Sequence, residues 1–211
     1  MQTDDLIELL TKDAKVRVRF AHVFLIALAV GLAVSAGLLL STYGIRDNMA
    51  EAIETPRVQF KLGLTLLLAL TSTRLAFLIG KPGISLRSAV LSLLWPLLLL
   101  LAGIATELIV LPQGAWETSL KGQHWSFCLV FVPTLAVAPL AALLYSVRQG
   151  APENPGLAGA LAGLSAGGIA AAIYAWHCPD DSPLFVATWY TIAISVVTAM
   201  GFLLGRRLLR W

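Results

Sequence analysis

Apolar residues fall along this chain in long blocks, separated by short polar breaks. Six blocks, at about 20–43, 58–79, 88–111, 125–147, 157–176 and 185–205, carry few charges. Each supplies the roughly 20 helical residues, rising 1.5 Å apiece, that cross a hydrocarbon core about 30 Å thick. The blocks are rich in Leu and Ala and lack the period-two alternation of membrane barrel strands. They predict an all-α polytopic membrane protein, a compact bundle of six transmembrane helices over residues 20–211. Residues 1–19 form a head before the first span. The connections at 44–57, 112–124 and 177–184 lie on one side; 80–87 and 148–156, with their turn formers KPG and APENPG, lie on the other. None can hold a domain, and short links between antiparallel neighbours favour one bundle. No internal repeat supports a transporter-like inverted architecture.

The head has a different pattern. Thr3 suits a helix N-cap, and Asp4 and Asp5 follow in the first turn, where the helix dipole favours negative charge. Leu6, Ile7, Leu9, Leu10 and Ala14 fall within a stripe roughly 160° wide at helical spacing, interrupted by Asp13. Asp4, Asp5, Glu8, Thr11 and Lys12 occupy the other face. A helix of about twelve residues is marginal in water, so its stripe needs a cover. The bilayer surface fits poorly, because interfacial helices carry Lys and Arg and anionic lipid repels an acidic face. The chain's own inner connections are one remaining cover. A protein partner with an apolar groove rimmed by basic residues suits the charge better.

Composition and charge add orientation. Of the residues, 58% are hydrophobic and 13% charged, with mean hydropathy +0.81; soluble domains carry roughly 25% charged residues. The net charge of +3 comes from basic residues at helix ends, which point to lipid headgroups and not to nucleic acid. Eleven of the fifteen Lys and Arg fall on the side of the termini, leaving Arg46, Arg57, Lys61 and Lys121 opposite. The positive-inside rule then makes both termini cytoplasmic, in a bacterial inner membrane. The first block is too long, and too closely preceded by acids, for a cleavable signal peptide.

Candidate chemistry gathers at the outer side. His124 precedes Cys128 at the opening of the fourth block, and His177 and Cys178 close the fifth. Counted from the inner turn, each cysteine stands about 30 Å up its helix, at a similar height. Three readings stay open. The thiols form a redox- or metal-responsive pair, with His124 and His177 as further ligands. They form a disulfide staple in an oxidising compartment. Or they are unrelated small fillers. Glu107, the one acid well inside a block, is a functional candidate by position. Gly159, Gly163 and Gly167 form a small-residue ridge that suits either a homodimer face or packing within the bundle. No nucleotide-binding loop, paired carboxylates or Ser/His/Asp set suggests catalysis, and no cofactor is implied.

The opening TDDLIELL, the six spans, the cysteine opening the fourth, HCP after the fifth and the terminal LGRRLLRW together resemble the NrsF-type family. These are six-span membrane anti-sigma factors that restrain extracytoplasmic-function sigma factors. The resemblance implies that the short cytoplasmic head, with Asp4, Asp5, Leu6, Ile7, Leu9 and Leu10, binds the sigma factor. It implies too that the membrane part receives the signal, for which Cys128 and Cys178 are the candidates. A small transporter or channel, with Glu107 and the glycine-rich fifth helix along a path, is the alternative. A disulfide-exchange enzyme would need a closely spaced pair such as CxxC, which this chain lacks.

Overall fold

A computed structural model describes residues 20–81, 83–150 and 152–210; the predicted head lies outside them. Among the described residues, six helices are long and apolar enough to cross a membrane: α1 Phe20–Thr42, α2 Pro56–Ile79, α3 Arg87–Val110, α4 Trp125–Arg148, α5 Pro155–Tyr174 and α6 Pro183–Leu208. Three of them start two residues before the apolar pattern does, at 56, 155 and 183 instead of 58, 157 and 185. Each of these starts is a proline at the first helical position. Proline there loses no hydrogen bond and has its φ preset for the helix, so it extends a helix that hydropathy alone cuts short. Asn154 and Ser182 cap two of these starts, accepting from the N–H of Leu157 and Leu184.

α5 is the axis. Its Ala158, Gly159, Ala162, Gly163, Ala166, Gly167, Ala170 and Ala171 are all buried, and α6, α2 and α4 pack around it. Helices in lipid gain little from the hydrophobic effect and associate through close van der Waals contact, which small residues permit. The α5 ridge meets a matching one on α6. A Cβ on Gly163 would stand 2.9 Å from Thr198 Cα, and one on Gly205 would stand 2.7 Å from Gly159 Cα. The ridge of Gly159, Gly163 and Gly167 is therefore filled by α6 of the same chain. It is not a free homodimer face, because no second helix can reach it.

α1 packs on α4, and α3 stands at the edge against α2 and the start of α6. The end of the bundle holding the connections from α1 to α2, α3 to α4 and α5 to α6 is termed distal here; Phe20 and Leu208 lie at the proximal end. Trp125 and Trp189 meet at the distal end, their rings tilted by 33° with centroids 5.0 Å apart, and Trp189 Nε1 donates to the Leu120 carbonyl at 2.9 Å. Trp189 belongs to a π-helical turn of α6, residues Val186–Tyr190, in which Val186 and Tyr190 are buried.

Candidate functional site

The distal connection between α5 and α6 reads His177-Cys178-Pro179-Asp180-Asp181-Ser182, and different elements grip its successive residues. Arg46 N–H donates to the Trp176 carbonyl at 3.2 Å. His177 Nδ1 lies 3.1 Å from the Gly44 carbonyl; a carbonyl only accepts, so Nδ1 carries the proton. Both contacts reach the connection between α1 and α2. The Cys178 carbonyl accepts from Lys61 Nζ of α2 at 2.7 Å and from Arg46 Nη1 at 3.3 Å.

Asp180 turns the other way. Its carboxylate accepts the backbone N–H groups of Gln123, at 3.1 Å, and His124, at 2.8 Å. A carboxylate at the start of α4 suits both the unpaired N–H groups and the positive end of the helix dipole. Asp181 is shared by Lys61 Nζ and Arg46 Nη1, the latter at 2.8 Å. Ser182 donates to Glu107 Oε1 of α3 at 3.1 Å, and Arg57 Nη2 pairs with the same oxygen at 2.9 Å. Five of these six residues thus tie together the α1–α2 connection, α2, α3 and the start of α4.

Lys61 is the centre of this arrangement. It is 0% exposed, although it belongs to a helix able to span a membrane. An ammonium so placed must be neutralised and fully hydrogen-bonded. Its three protons go to the Cys178 carbonyl, the Asp180 carbonyl at 3.3 Å and the Asp181 carboxylate. Arg46 is less complete: its side chain is buried, yet Nε and Nη2 have no partner among the described residues.

The thiols lie beneath this polar layer. Cys128, in the first turn of α4, and Cys178 are both free and both 0% exposed. They share one apolar core with Tyr174, Phe185 and Tyr190, in which Tyr174 stacks on Phe131 at 6.0 Å. Cys178 Sγ lies 3.8 Å from the Asp180 carbonyl. Burial pushes the Cys178 thiol above its ordinary range, and the nearby Lys61 ammonium offsets this only in part. A buried thiol held in its neutral form is a poor nucleophile.

The four candidate metal ligands are not gathered. His124 Nδ1 stands 3.3 Å from Asp180 Oδ2, His177 turns to Gly44, and the two cysteines point inside. Among the described residues, no group of three or more His, Cys, Asp or Glu is placed to hold a metal ion. Glu107 is buried, but its partners are Arg57 and Ser182, while Gly159, Gly163 and Gly167 of α5 face α6. The two features proposed for a transport path therefore lie apart.

The comparisons with known proteins bear on this six-helix arrangement as a whole. The model of a family described as negative regulator of sigma F, NrsF, matches residues 10–211. The chain belongs to the NrsF family. A relative in Azospira oryzae named probable anti-sigma-F factor NrsF is 32% identical over 213 residues, covering 100% of both chains. The anti-sigma-F factor NrsF of Caulobacter vibrioides is 33% identical over 214 residues, again covering 100% of both. No solved structure matches the chain. The NrsF family match takes in every residue of the distal cluster.

Sequence reasoning singled out Cys128, Cys178, His124, His177 and Glu107, but not Lys61, Arg46, Asp180, Asp181 or Ser182. Lys61 had a signal: it lies inside the second apolar block, where an ionisable residue marks an inward-facing site. Counting it among the outer charges hid that meaning. The head residues Asp4, Asp5, Leu6, Ile7, Leu9 and Leu10 lie outside the described residues.

Proposed function

We propose that this protein is a membrane-bound anti-sigma factor, and that its head holds an extracytoplasmic-function sigma factor away from RNA polymerase. The observation that carries this reading is the family match, which runs from residue 10 through all six helices to residue 211. Two full-length relatives carry the name of anti-sigma-F factors. The sequence supports the head as the binding element. Outside the six spans, only residues 1–19 offer a sizeable segment, and they combine an apolar stripe with an acidic face. The Lys and Arg distribution supports an inner-membrane protein with both termini cytoplasmic, which makes the distal end periplasmic.

In this reading the distal cluster is the input. Cys128 and Cys178 receive a redox signal, and the 177–182 segment carries it outward, because its residues bind four other parts of the bundle. A change at Cys178 then alters the packing of α2, α4 and α6 together and loosens the head's hold on the sigma factor. The buried state of both thiols supports a resting form in which they are unreactive. The metal variant of the input draws no support from the geometry.

The test is co-purification of the sigma factor with the full-length protein from membranes. Leu6→Asp or Leu10→Asp should abolish it while the protein still inserts. Burying a leucine is worth roughly 1.5–3 kcal/mol, and a charge buried in its place costs more, so affinity falls by about tenfold or more. Deletion of residues 1–14 should do the same. Undiminished sigma factor in all three preparations would refute the head as the binding element.

A further inference from the structure

Lys61 and the segment that carries Cys178 form an unusual pair. An ammonium has three protons, and here all three are taken by acceptors from residues 178, 180 and 181. The donor sits in α2, five residues after Pro56, its first helical position. The acceptors sit in the connection between α5 and α6. Pro179, between two of the accepting residues, has no N–H to bond elsewhere, so this stretch is fixed by what its oxygens accept. The acceptors converge on one buried point.

We infer that Lys61 is the latch of the distal site: its ammonium holds the 178–181 segment down over Cys128 and Cys178 and so sets how readily reagents reach the thiols. Three observations carry this. Lys61 and both cysteines are all 0% exposed, so the thiols are shut in by the layer that Lys61 completes. The Cys178 backbone is itself held by the ammonium, at 2.7 Å. The other cation on the segment, Arg46, has two N–H groups with no partner among the described residues, so it is the less satisfied holder.

The energetics favour a latch over a passive filler. Removing a buried donor leaves its acceptors unsatisfied, which is costlier than losing a surface ion pair. Loss of Lys61 takes the ammonium from the Asp180 carbonyl and leaves both the Cys178 carbonyl and Asp181 with Arg46 alone. The segment then relieves its polar groups by opening to water, which exposes Cys178 with it. Local opening of this kind, with the remainder of the bundle intact, is the ordinary behaviour of a connection that has lost part of its hold.

The physiological consequence rests on the reading of the thiols as the input, but the latch itself does not. The experiment uses purified full-length protein in detergent micelles, with Cys128→Ser so that a maleimide reports on Cys178 alone. Lys61→Met should raise the labelling rate by about tenfold or more, in keeping with the cost of leaving buried acceptors unsatisfied. Asp181→Asn should raise it less, and the double variant should not exceed Lys61→Met, because the partners act as one unit. In a separate series lacking both native cysteines, Ala52→Cys, a buried position in a separate small cluster with Met49 and Val58, measures general loosening.

An unchanged Cys178 rate in Lys61→Met would overturn the latch, and so would an equal rise at position 52. If Lys61→Met does not accumulate, Asp181→Asn decides by the same two criteria. A positive labelling result together with a normal signal response of the Lys61→Met protein in cells would leave the latch standing and count against the thiols as input.

Discussion

Ser35 of α1 donates to the carbonyl of Leu135 on α4 at 2.6 Å, with both groups buried. That oxygen would ordinarily accept from residue 139, four positions later, but residue 139 is a proline without an N–H. Backbone groups in a bilayer have no water to turn to, so a helix-interior proline is tolerated where a neighbouring side chain serves the freed carbonyl. Gly31, one turn before Ser35, makes the approach possible: a Cβ there would stand 2.7 Å from Pro139 Cα. Ser35→Ala should therefore destabilise the bundle by about 1–3 kcal/mol, the cost of an unsatisfied buried acceptor. Reversible unfolding in mixed micelles measures it. A variant as stable as the parent would mean that the Leu135 carbonyl finds another donor.

The facing glycines of α5 and α6 make a second quantitative test. A Cβ on Gly201 would stand 2.9 Å from Gly163 Cα, backbone that cannot move aside cheaply, whereas one on Gly37 meets nothing within 4 Å. Gly201→Val should split the α5–α6 pair and lower the amount of folded protein in the membrane severalfold. Gly37→Ala should be neutral or stabilising by up to about 1 kcal/mol, the helix-propensity difference between the two residues. Equal accumulation of both variants would show that the ridge packs more loosely than these distances allow.

The six helices were legible because hydropathy over some twenty residues is a local property. The early starts of α2, α5 and α6 were legible in principle too, since Pro56, Pro155 and Pro183 stand in the sequence at positions that favour a first helical turn. Which face a ridge meets is not local. Gly159, Gly163 and Gly167 announce close approach to a helix, but only the matching Gly201 and Gly205 on α6 tell that the helix is their own. The distal cluster is harder still. Arg46, Lys61, Glu107 and the 177–182 segment come from four elements, and nothing local to any one of them tells that they meet. Cys128 and Cys178 stood out because thiols are rare in this chain. Lys61 did not, although its burial inside a span is the rarer event.

The last test concerns the thiols as the signal input. Both cysteines are buried in one core, beneath a segment that binds several elements at once. If they receive a redox signal, Cys128→Ser and Cys178→Ser should each alter induction of the sigma-dependent genes by oxidant. The double variant should match the stronger single, since two sulfurs that act as a pair give no additive effect. Reactivity should also follow pH in a defined direction. The Cys178 thiol is raised by burial, so its thiolate is scarce near neutrality and its alkylation should keep accelerating as pH rises beyond the usual thiol range. A rate that levels off near pH 8.5, the ordinary thiol value, would contradict that direction. Membrane levels of each variant must be measured alongside, because serine in an apolar core leaves a hydroxyl that costs about 1–3 kcal/mol when unpaired. Normal abundance with an unaltered oxidant response in both single variants would reduce the cysteines to packing residues. The input would then have to lie in the charged layer above them, where Lys61 and Asp181 hold the segment in place.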